Sequence, residues 1–550
     1  MKKFIILSVS LILLLAVGSQ PLLSLAARGL QSPVNFNGDE AADLVIGVPY
    51  EAIGSEASAG AAHVLYGEAS TGLSANGSQL WNQGTNGLPD IAEANDEFGF
   101  ALAIGDFNGD MYYDLAVGVH GEDIGNPLLI VSAGAVHIIY GTATGLSTDF
   151  DQAWHQNMTG ILDEAEADDR FGYSLAAGDF NGDGYTDLAV ESLWEDVGDP
   201  EIQNAGMVQI LYGSAEGLSA DGDQMFYQGA FNVEDTAEVD DMFGSVLTTC
   251  DIDSDGFADL AIGIPMEDVD DKINAGAVQI LYGAATGLNA THDQFLHQDL
   301  AEVEGDATAN DRFGHALAAG DSNGDGYCDL AVGIPYKDVG APAITDAGAV
   351  HLFYGSDTGL STTNDWMLNQ NTLSVADVAE ESDWFGYSLT VGNFDSNGLA
   401  DLAVGVPGED VGNPEAVNAG AVHIFYSQSG GENGLWYQGK DGVADTAEVD
   451  DRFGTSLAAG DFNADGYNDL AVGVPKEDRE GVNPLTDAGI VHILYGSADG
   501  LSADGNQIWS QDSADIGGAS EDNDRFGQVL AAMPTMPTTT FKIYLPLTIR

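Results

Sequence analysis

One twelve-residue pattern recurs along the chain and constrains its fold more than any other feature. It is seen in the string DFNGDGYTDLAV, which begins at Asp179, and it occurs seven times at a step of roughly seventy residues. Positions 1, 3, 5 and 9 of the pattern carry side-chain oxygens, and position 6 is usually glycine. A calcium ion needs many oxygens at about 2.3–2.6 Å on a tightly turned backbone. The pattern therefore predicts a calcium-stabilised array of repeats.

Each repeat contains four short apolar segments separated by Gly, Asp and Asn turns. In the unit 171–242 these segments are FGYSLAAG from Phe171, the run that DLAV opens at Asp187, NAGMVQILYG from Asn204 and DQMFYQG from Asp223. The third segment alternates polar and apolar residues as a strand does, and no segment leaves room for a long amphipathic helix. Glycine-rich, four-stranded units in series predict an all-β protein, a β-propeller. A linear β-solenoid is the alternative, with shorter repeats and capping ends.

The two ends of the chain favour the propeller. Phe-Gly pairs open a segment at Phe98, Phe171, Phe243, Phe313, Phe385, Phe453 and Phe526, and oxygen-rich loops begin at Asn35, Asp106, Asp179, Asp251, Asp321, Asn393 and Asp461. Both sets have seven members, but the first loop has no Phe-Gly segment before it and the last Phe-Gly segment has no loop after it. The C-terminal strand is therefore expected to complete the N-terminal blade as its innermost strand. This pairing gives seven blades and protects strand edges that would otherwise be open.

These features resemble the FG-GAP repeat of the integrin α-chain propeller and of bacterial secreted proteins built from the same repeat. The resemblance rests on Phe-Gly, the DxNxDGxxDLAVG loop, a Gly-x-Pro such as Gly263-Ile264-Pro265 and the AGAVHILYG strand, over about 35–533. It implies calcium in hairpin loops between the first and second strands, all on one face, and a partner on the opposite face. Gly118-Val119-His120 and Val190-Glu191-Ser192 depart from the Gly-x-Pro pattern. No inserted ligand-binding domain or stalk is visible, so integrin function does not follow from the fold.

Four loops carry the full set of predicted metal ligands, with a backbone carbonyl at position 7. Their residues are Asp179, Asn181, Asp183, Tyr185, Asp187; Asp251, Asp253, Asp255, Phe257, Asp259; Asp321, Asn323, Asp325, Tyr327, Asp329; and Asp461, Asn463, Asp465, Tyr467, Asp469. Three loops depart from the pattern. Their oxygen-bearing residues are Asp106, Asn108, Asp110, Asp114; Asn393, Asp395, Asn397, Asp401; and Asn35, Asn37, Asp39, Asp43.

The three departing loops are expected to differ in affinity. Met111 takes the glycine place of the second loop, which is tolerable if the backbone avoids positive φ there. The sixth and first loops have only two carboxylates each, and the first loop, with Glu40 at its turn, is the one we expect to be empty. About five to seven calcium ions per chain are therefore predicted.

Loops of this composition have two other interpretations, an EF-hand and a metal-free turn. An EF-hand needs a bidentate Glu at position 12 between helices, whereas position 12 here is Val117, Val190 or Val472 inside a strand. Metal-free Asp/Asn/Gly turns are the other possibility. A single loop would fit that interpretation, but the repeated oxygen spacing favours metal.

Composition and the chain ends bear on compartment and partners. The 88 acidic against 14 basic residues give a net charge of −74, which excludes a basic groove for nucleic acid. Residues 1–27 have two lysines, an apolar run and small residues, which indicates a cleaved secretory signal rather than a membrane anchor. The protein is thus expected to be secreted or at the cell surface. Cys250 and Cys328 lie at different places in consecutive repeats, so calcium rather than a disulfide is the expected staple.

Histidine, carboxylate and tryptophan side chains recur at fixed positions of the repeat and are candidates for catalysis or binding. Five histidines share one position of the third strand, which indicates a structural role: His63, His137, His351, His423 and His492. Carboxylate pairs follow the second strand and are interpreted as turns or outer contacts of calcium: Glu122-Asp123, Glu195-Asp196, Glu267-Asp268, Glu409-Asp410 and Glu477-Asp478. Tryptophans of the fourth strand are expected to pack between blades, with sugar stacking as the alternative: Trp81, Trp154, Trp366, Trp436 and Trp509.

The sequence favours a binding or adhesion module for an extracellular protein or polysaccharide over an enzyme. The alternative is an extracellular hydrolase or lyase with its site at the channel mouth, for which Glu191, Ser192, Trp194 and His120 are the residues that break the repeat. A surface-layer component is a third possibility. The tail 534–550 is a Pro/Thr linker followed by an apolar segment. This composition fits a sorting signal, an edge strand or a disordered end.

Overall fold

The computed structural model describes residues 35–533, apart from 85–86, 126–128, 373–374, 376, 413, 428–432 and 480–483. The predicted signal segment (1–27) and the C-terminal tail (534–550) lie outside the described residues. Within the described part, the chain forms strands and turns and no helix long and apolar enough to cross a membrane.

Twenty-eight strands form seven four-stranded antiparallel sheets, here called blades and numbered along the chain. Blade 1 contains β28 (Val529–Ala532), β1 (Leu44–Val48), β2 (Ala61–Glu68) and β3 (Gly72–Trp81). Blade 2 contains β4 (Ala101–Gly105), β5 (Asp114–Val119), β6 (Ala135–Tyr140) and β7 (Ser147–Trp154). Blade 3 contains β8 (Phe171–Gly178), β9 (Asp187–Ser192), β10 (Met207–Tyr212) and β11 (Ser219–Phe226).

The other four blades repeat this order. Blade 4 contains β12 (Val246–Cys250), β13 (Asp259–Ile264), β14 (Ala277–Tyr282) and β15 (Asn289–Leu296). Blade 5 contains β16 (Ala316–Gly320), β17 (Asp329–Ile334), β18 (Ala349–Tyr354) and β19 (Ser361–Leu368). Blade 6 contains β20 (Ser388–Gly392), β21 (Asp401–Val406), β22 (Ala421–Phe425) and β23 (Gly434–Trp436). Blade 7 contains β24 (Ser456–Gly460), β25 (Asp469–Val474), β26 (Ile490–Tyr495) and β27 (Ser502–Trp509).

The first strands of the blades contact one another in a closed ring. The order is β4, β8, β12, β16, β20, β24, β28 and again β4. Strand β28 pairs antiparallel with β1, with Val529 opposite Gly47 and Ala532 opposite Leu44. The predicted seven blades and the closure by the C-terminal strand are both confirmed.

The core lies between the blades and is built by the second and third strands. Residues of β5, β6, β9 and β10 are buried without exception. The polar and apolar alternation of the third strand therefore does not mark one wet face, because neighbouring blades cover both faces of the sheet. The Phe-Gly phenylalanines are fully buried at each blade: Phe98, Phe171, Phe243, Phe313, Phe385, Phe453 and Phe526.

Close approach of neighbouring backbones explains the glycine of the Gly-x-Pro pattern. A Cβ placed on Gly118 would lie 2.1 Å from the carbonyl oxygen of Gly172 in the next blade. Blade 3 has Glu191 at the equivalent position, and its side chain packs against the Phe-Gly glycine Gly244. Glu191 is therefore the point at which one blade junction departs from the others.

The two cysteines form a disulfide, so the expectation that calcium alone staples the fold is wrong. Cys250 ends β12 in blade 4 and Cys328 precedes β17 in blade 5, with 6.2 Å between their Cα atoms. Sequence position did not suggest this pairing because the two residues occupy different places in their repeats. Cys250 is the last residue of the first strand of blade 4, and Cys328 comes just before the second strand of blade 5. These two positions meet where the two blades touch.

Candidate metal loops and channel mouth

The seven oxygen-rich loops share one backbone shape. Six of the loops join the first and second strands of a blade, and the first loop precedes β1, the second strand of blade 1. All seven therefore lie at the same end of the second strands, here called the loop face. In the third loop, Asp179 Oδ1 accepts hydrogen bonds from the amides of Gly182 (2.7 Å) and Asp183 (3.1 Å), and Asp179 Oδ2 accepts one from Gly184 (3.0 Å). The loop is therefore wound around its first aspartate, whose carboxylate accepts hydrogen bonds from three amides of the turn.

The aspartate at position 9 fastens each loop to the body of its blade. Asp187 Oδ2 accepts a hydrogen bond from the amide of Phe180 (2.9 Å), and its Oδ1 accepts one from Gly213 at the end of the third strand (2.9 Å). Burial raises the pKa of Asp187 to about 8 and that of Asp259 to about 7. A buried carboxylate of this kind is stabilised by a proton or by a nearby cation.

The fourth loop fits a hard cation on its geometry. Carboxylate oxygens of Asp251, Asp253 and Asp259 all lie within 4.8 Å of one another. Three converging carboxylates on a turned backbone are the donor set that calcium prefers. In this loop three of the five sequence-predicted ligands are brought together, whereas Asp255 Oδ1 accepts a hydrogen bond from the amide of Phe257 at 3.0 Å.

The loops with fewer carboxylates use amide groups as internal donors. In the first loop, Asn35 Nδ2 donates to Asp39 Oδ1 (2.5 Å) and Asn37 Nδ2 donates to Asp39 Oδ2 (3.0 Å). In the sixth loop, Asn397 Nδ2 donates to Asp395 Oδ2 (3.1 Å). These neutral amide groups stabilise the carboxylates of Asp39 and Asp395 by hydrogen bonding.

The condition placed on Met111 in the second loop is not met. Its φ is +78°, which is the left-handed region that favours glycine. The second loop nevertheless keeps the shared shape, with the Met111 amide donating to Asp106 Oδ2 at 3.0 Å.

Neighbouring loops are tied to each other around the ring. The amide at position 8 of one loop donates to the carbonyl at position 1 of the preceding loop, at 2.8–3.0 Å, in the pairs Thr186 to Asp106, Ala258 to Asp179, Ala400 to Asp321, Asn468 to Asn393 and Ala42 to Asp461. The Cys250–Cys328 disulfide lies at the junction between the fourth and fifth loops. The loop face is thus a belt in which each loop touches the next.

The recurring histidines are buried packing residues. His63, His137, His423 and His492 are at most 1% exposed, and burial lowers the pKa of each to about 4. Each packs near a Phe-Gly phenylalanine, as His492 does with Phe453 at 5.5 Å between ring centroids. Such neutral, enclosed imidazoles have a structural role, as the sequence indicated.

The carboxylate pairs lie far from the seven oxygen-rich loops, so of the two interpretations the turn is confirmed and the outer contact of calcium is wrong. They occupy the turn between the second and third strands, which antiparallel pairing places at the opposite end of the blade, here called the mouth face. Their aspartates cap this turn, as Asp196 does by accepting from the Asn204 amide at 2.8 Å. Their glutamates are buried, and blade 5 carries Lys337 in the glutamate position.

The fourth-strand tryptophans do not form one set. Trp81 and Trp154 end their strands and are buried, and Trp436 and Trp509 at the same place are half-buried. Trp366 lies two residues earlier, where Gln152 and Gln224 stand in other blades, and it is 49% exposed. The packing interpretation therefore holds for four of the five, and Trp366 is a surface residue.

A cluster of arginines on the mouth face was missed by the sequence reasoning. Arg170, Arg312, Arg452 and Arg525 all stand immediately before a Phe-Gly pair. Their guanidinium carbons lie 3.9–5.0 Å from the ring centroids of Trp194, Tyr336, Trp384 and Tyr50, in that order. These eight residues are here called the mouth cluster. Aligning the repeats on Phe-Gly reveals the shared position.

Aromatic rings of neighbouring blades meet in the mouth cluster, where Tyr336 and Trp384 lie 6.2 Å apart between ring centroids. Burial raises the pKa of Tyr173 of blade 3 to about 12. Beside Tyr50 and Arg525, a cavity of about 340 Å³ opens against Glu521–Arg525. A concave surface with a few converging polar groups is the usual form of a ligand site.

The residues that break the repeat lie beside this mouth but are enclosed. Glu191 and Ser192 are 0% exposed and His120 is 3% exposed. His120 Nε2 lies 2.9 Å from Glu97 Oε2, and Phe100 packs edge-on against the imidazole. A substrate therefore reaches none of these three groups in this conformation.

Comparison with known proteins agrees with the repeat geometry. Residues 98–139, 171–211, 243–281, 313–353, 385–425 and 453–494 match the FG-GAP repeat, and each matched segment begins at a Phe-Gly phenylalanine. The seventh repeat is the one divided between the two ends of the chain.

Three relatives illustrate the similarity. Integrin alpha-V of Gallus gallus is 34% identical over 250 residues, which is 44% of this chain and 21% of that protein. Integrin alpha-PS2 of Drosophila melanogaster is 29% identical over 281 residues, 49% of this chain and 18% of that protein. Phosphatidylinositol-glycan-specific phospholipase D of Bos taurus is 32% identical over 164 residues, 30% of this chain and 19% of that protein. The alignments thus span about a fifth of each relative.

Proposed function

Because the chain is an FG-GAP repeat protein that resembles the integrin α-chain propeller, we propose that it is an exported, calcium-binding module that holds an acidic ligand at its channel mouth. The mouth cluster carries this proposal. The chain has a net charge of −74 and 14 basic residues. Four of these basic residues stand at one repeat position around the channel. The ligand is a carboxylate-bearing segment of an extracellular protein or, as the second source, an acidic polysaccharide.

Stacking prepares the mouth arginines for this role. Each guanidinium plane lies against an aromatic ring, which fixes its orientation before a ligand arrives. An arginine presents its N–H groups as a planar fork that fits both oxygens of a carboxylate. Among the described residues, Arg170 Nε, Arg452 Nη1 and Arg525 Nε are buried without an acceptor. The four arginines as a whole are half-buried, so their other N–H groups are the ones that an incoming oxygen can meet.

Calcium is assigned to the loop face. The donor sets of the third, fourth, fifth and seventh loops fit it, and a bound ion offsets repulsion among carboxylates that are drawn together. Calcium bound to the native state alone raises stability by mass action. We expect the melting temperature to rise when millimolar calcium replaces a chelator; an unchanged melting temperature would count against the assignment.

Two features support export. Residues 1–27 have the composition of a secretory signal. The Cys250–Cys328 disulfide suits an oxidising compartment outside the cytosol. Fractionation of the host cells, with the chain detected in the medium or at the surface, tests this part.

An extracellular hydrolase is the second candidate. Its support is the similarity to a phosphatidylinositol-glycan-specific phospholipase D, together with Glu191 and His120 beside the mouth. The burial of Glu191 and His120 weighs against it, because catalytic groups must touch the substrate. Turnover of a polysaccharide or glycolipid by purified protein would favour the enzyme, and retention without turnover favours the binding module.

The binding test uses paired arginine variants. Immobilised polygalacturonate, alginate and an Asp/Glu-rich peptide serve as probes, in calcium. Arg312→Gln with Arg525→Gln is expected to reduce retention at least tenfold. Lys272→Gln with Lys440→Gln removes the same charge from residues outside the mouth cluster and is expected to leave retention unchanged. Equal losses in both pairs would show that binding follows net charge and not the mouth cluster.

A further inference from the structure

Six of the seven junctions between neighbouring blades hold a buried leucine that the following blade supplies. Each of these leucines follows a glycine where the fourth strand begins, and each is at most 8% exposed. They are Leu73, Leu146, Leu218, Leu288, Leu360 and Leu501. Because the third strand ends at the loop face, the leucines lie toward that face of the ring.

The preceding blade holds the leucine by its side chain and by its backbone. Leu288 of blade 4 packs in one apolar cluster with Ile210, Phe226, Leu260 and Leu281 of blades 3 and 4. Its carbonyl accepts a hydrogen bond from Nε2 of Gln224 in blade 3 at 3.0 Å. The same bond, at 2.8–3.0 Å, joins Gln79 to Leu146, Gln152 to Leu218, Gln294 to Leu360 and Gln507 to Leu73.

A tyrosine of the third strand can bind the leucine backbone where the glutamine is missing. In blade 6, Gly434 stands in the register position that Gln507 has in blade 7. The Leu501 amide there donates to the hydroxyl oxygen of Tyr426 at 2.9 Å. Tyrosine at this position is therefore a sufficient backbone acceptor.

The junction between blades 5 and 6 lacks its leucine. The stretch 427–433 of blade 6 reads SQSGGEN, and the Gly434-Leu435 pair that follows belongs to the fourth strand, where Leu435 lies opposite His423. The glutamine of blade 5 is also replaced, by Trp366, which is 49% exposed. This junction thus lacks both the leucine and the glutamine that binds it elsewhere.

A cavity of about 220 Å³ opens at this junction. Its walls include Leu352, Leu368, Leu402 and Phe425, which are the positions of Ile210, Phe226, Leu260 and Leu281 around Leu288. Leu352 and Phe425 are only half-buried, whereas Ile210 and Leu281 are 0% exposed. Apolar cavities of about 150 Å³ already take up a benzene-sized ligand. The cavity therefore has the lining and the room for one leucine side chain.

Two aromatic residues complete the cavity. Tyr354 lines it at the position that Tyr426 has in blade 6, and Trp366 lines it from the fourth strand. The tyrosine offers the hydroxyl oxygen that a leucine amide uses at the next junction. The indole offers an apolar surface that solvent reaches.

Charge favours a basic segment beside the leucine. Asn323 and Asp329 of the fifth loop line the cavity, and Asp325 of the same loop is exposed. The described lining residues include no lysine or arginine, and the chain carries a net charge of −74. A lysine or arginine next to the leucine complements this surface, and an acidic neighbour is repelled.

We propose that the cavity between blades 5 and 6 binds a leucine of an extracellular partner protein, presented in an extended segment beside a lysine or arginine. The leucine side chain fills the cavity and packs against Trp366. The Tyr354 hydroxyl oxygen accepts a hydrogen bond from the leucine amide. The partner thus supplies the residue that every other junction takes from the following blade. This site is separate from the mouth cluster, because it lies toward the loop face.

The test measures binding of a labelled peptide to the full-length protein in calcium. The peptide KTGLSK places the Thr-Gly-Leu-Ser of blade 2 between two lysines, and fluorescence anisotropy reports its dissociation constant. The peptides KTGNSK and ETGLSE remove the leucine and the basic flanks, and each is expected to bind on the order of tenfold more weakly. Equal binding of KTGLSK and KTGNSK would overturn the proposal.

A matched pair of tyrosine variants tests the backbone contact. Tyr354→Phe keeps the ring and removes the hydroxyl, so we expect KTGLSK to bind about fivefold more weakly. Tyr212→Phe makes the same change at the junction that Leu288 already fills and should leave the affinity unchanged. Equal affinities of the two variants would remove Tyr354 from the site.

A graft closes the cavity from within. Replacing SQSGGEN of blade 6 (427–433) with GSADGLSADGN of blade 7 (496–506) gives the junction its own leucine. We expect KTGLSK binding to be lost and the melting temperature to rise, because Leu352 and Phe425 become covered. A folded graft that binds KTGLSK as the wild type does would overturn the proposal. If the graft does not fold, the peptide pair and the tyrosine pair still decide.

Other occupants of the cavity give different results. Tenfold tighter binding of KTGLSK after removal of the tail 534–550 would assign the cavity to this tail. A dimer in sedimentation that the graft dissolves would assign it to a second copy of the chain. Either result overturns the proposal of a partner protein, as does a wild type that does not bind KTGLSK.

Discussion

Met111 shows how one residue of a repeat can carry strain that its neighbours avoid. It has a φ of +78° at a loop position where Gly184, Gly256, Gly326 and Gly466 stand in other blades. Left-handed backbone costs a non-glycine residue on the order of 1 kcal/mol or more. The Met111 side chain is 41% exposed, so little burial offsets this cost.

We predict that Met111→Gly raises the free energy of unfolding by about 1 kcal/mol, because the left-handed backbone is then free of strain. Urea denaturation in calcium measures this. Met111→Ala serves as the control, since alanine keeps the Cβ and should give no gain. An alanine variant as stable as the glycine variant would assign the gain to loss of the exposed side chain instead.

The buried histidines make stability sensitive to acid. Burial lowers the pKa of His492 to about 4 in the folded protein, whereas the unfolded value is near 6.5. Because the folded pKa is the lower one, the neutral histidine contributes fully above pH 6.5. That contribution is lost as the pH falls toward 4.

We predict that His492→Gln makes the protein less sensitive to acid. Glutamine already stands at this strand position as Gln209 and Gln279, so the fold accepts it. Between pH 6.5 and 4 the wild type should lose roughly 1–3 kcal/mol more stability than the variant. Thermal unfolding across this pH range compares the two, and parallel curves would contradict the expected role of His492.

Residues that act within one contiguous loop were predictable, and residues that act across repeats were not. The spacing from Asp251 to Asp259 indicated that their carboxylates come together, and the structure places Asp251, Asp253 and Asp259 within 4.8 Å of one another, because they are close in sequence. The mouth arginines and the Gln–Glu pairs between blades, such as Gln228 with Glu267, combine residues from separate turns and from neighbouring blades. Their physical signal is a repeat position, such as the residue before Phe-Gly, which becomes visible only when blades are superposed.

At the level of strands, the sequence patterns predicted the segments correctly but not what covers them. The fourth strand of blade 3 begins at Ser219 and not at Asp223 as predicted, because hairpin turns of polar residues hide its start. The third strand alternates polar and apolar residues, yet both of its faces are covered. Packing of blade on blade is a tertiary effect that no single strand records.

The disulfide connects two strands of adjacent blades at the loop face. It joins residues 78 positions apart, and a cross-link of this span restricts the unfolded chain by about 4 kcal/mol in the chain-entropy account. Its position between the fourth and fifth loops means that it also holds two candidate metal loops together.

We predict that Cys250→Ser with Cys328→Ser lowers the midpoint of chemical unfolding, with a loss of about 2–4 kcal/mol. Reduction of the wild-type protein should produce the same midpoint, and the double variant should not respond to reductant. A wild type that is equally stable in reductant would mean that the cross-link adds nothing to the native fold.

For the whole molecule, the two faces divide the chemistry. The loop face gathers carboxylates on hairpins, and the mouth face gathers arginines over aromatic rings. Both arrangements require that all seven blades point the same way around one axis. This orientation depends on the ring being closed by β28 against β1.

Ring closure leads to the last prediction. Removal of Phe526–Arg550 takes away β28, exposes the edge of β1 from Leu44 to Gly47 and uncovers His63, which packs against Phe526 at 5.3 Å. We expect the shortened protein to lose several kcal/mol of stability, because burial of these apolar side chains is lost, and to aggregate through the open strand edge. Differential scanning calorimetry and light scattering measure the two effects.

A peptide of the missing strand provides the matching control. FGQVLAAM added in trans should raise the melting temperature of the shortened protein, since it restores the antiparallel pairing of Val529 with Gly47 and returns Phe526 to His63. A scrambled peptide of the same composition should not, because pairing register and the buried phenylalanine position are both lost. A shortened protein as stable as the full chain would show that the first blade holds its place without its innermost strand, and closure would then be a consequence of the fold instead of its cause.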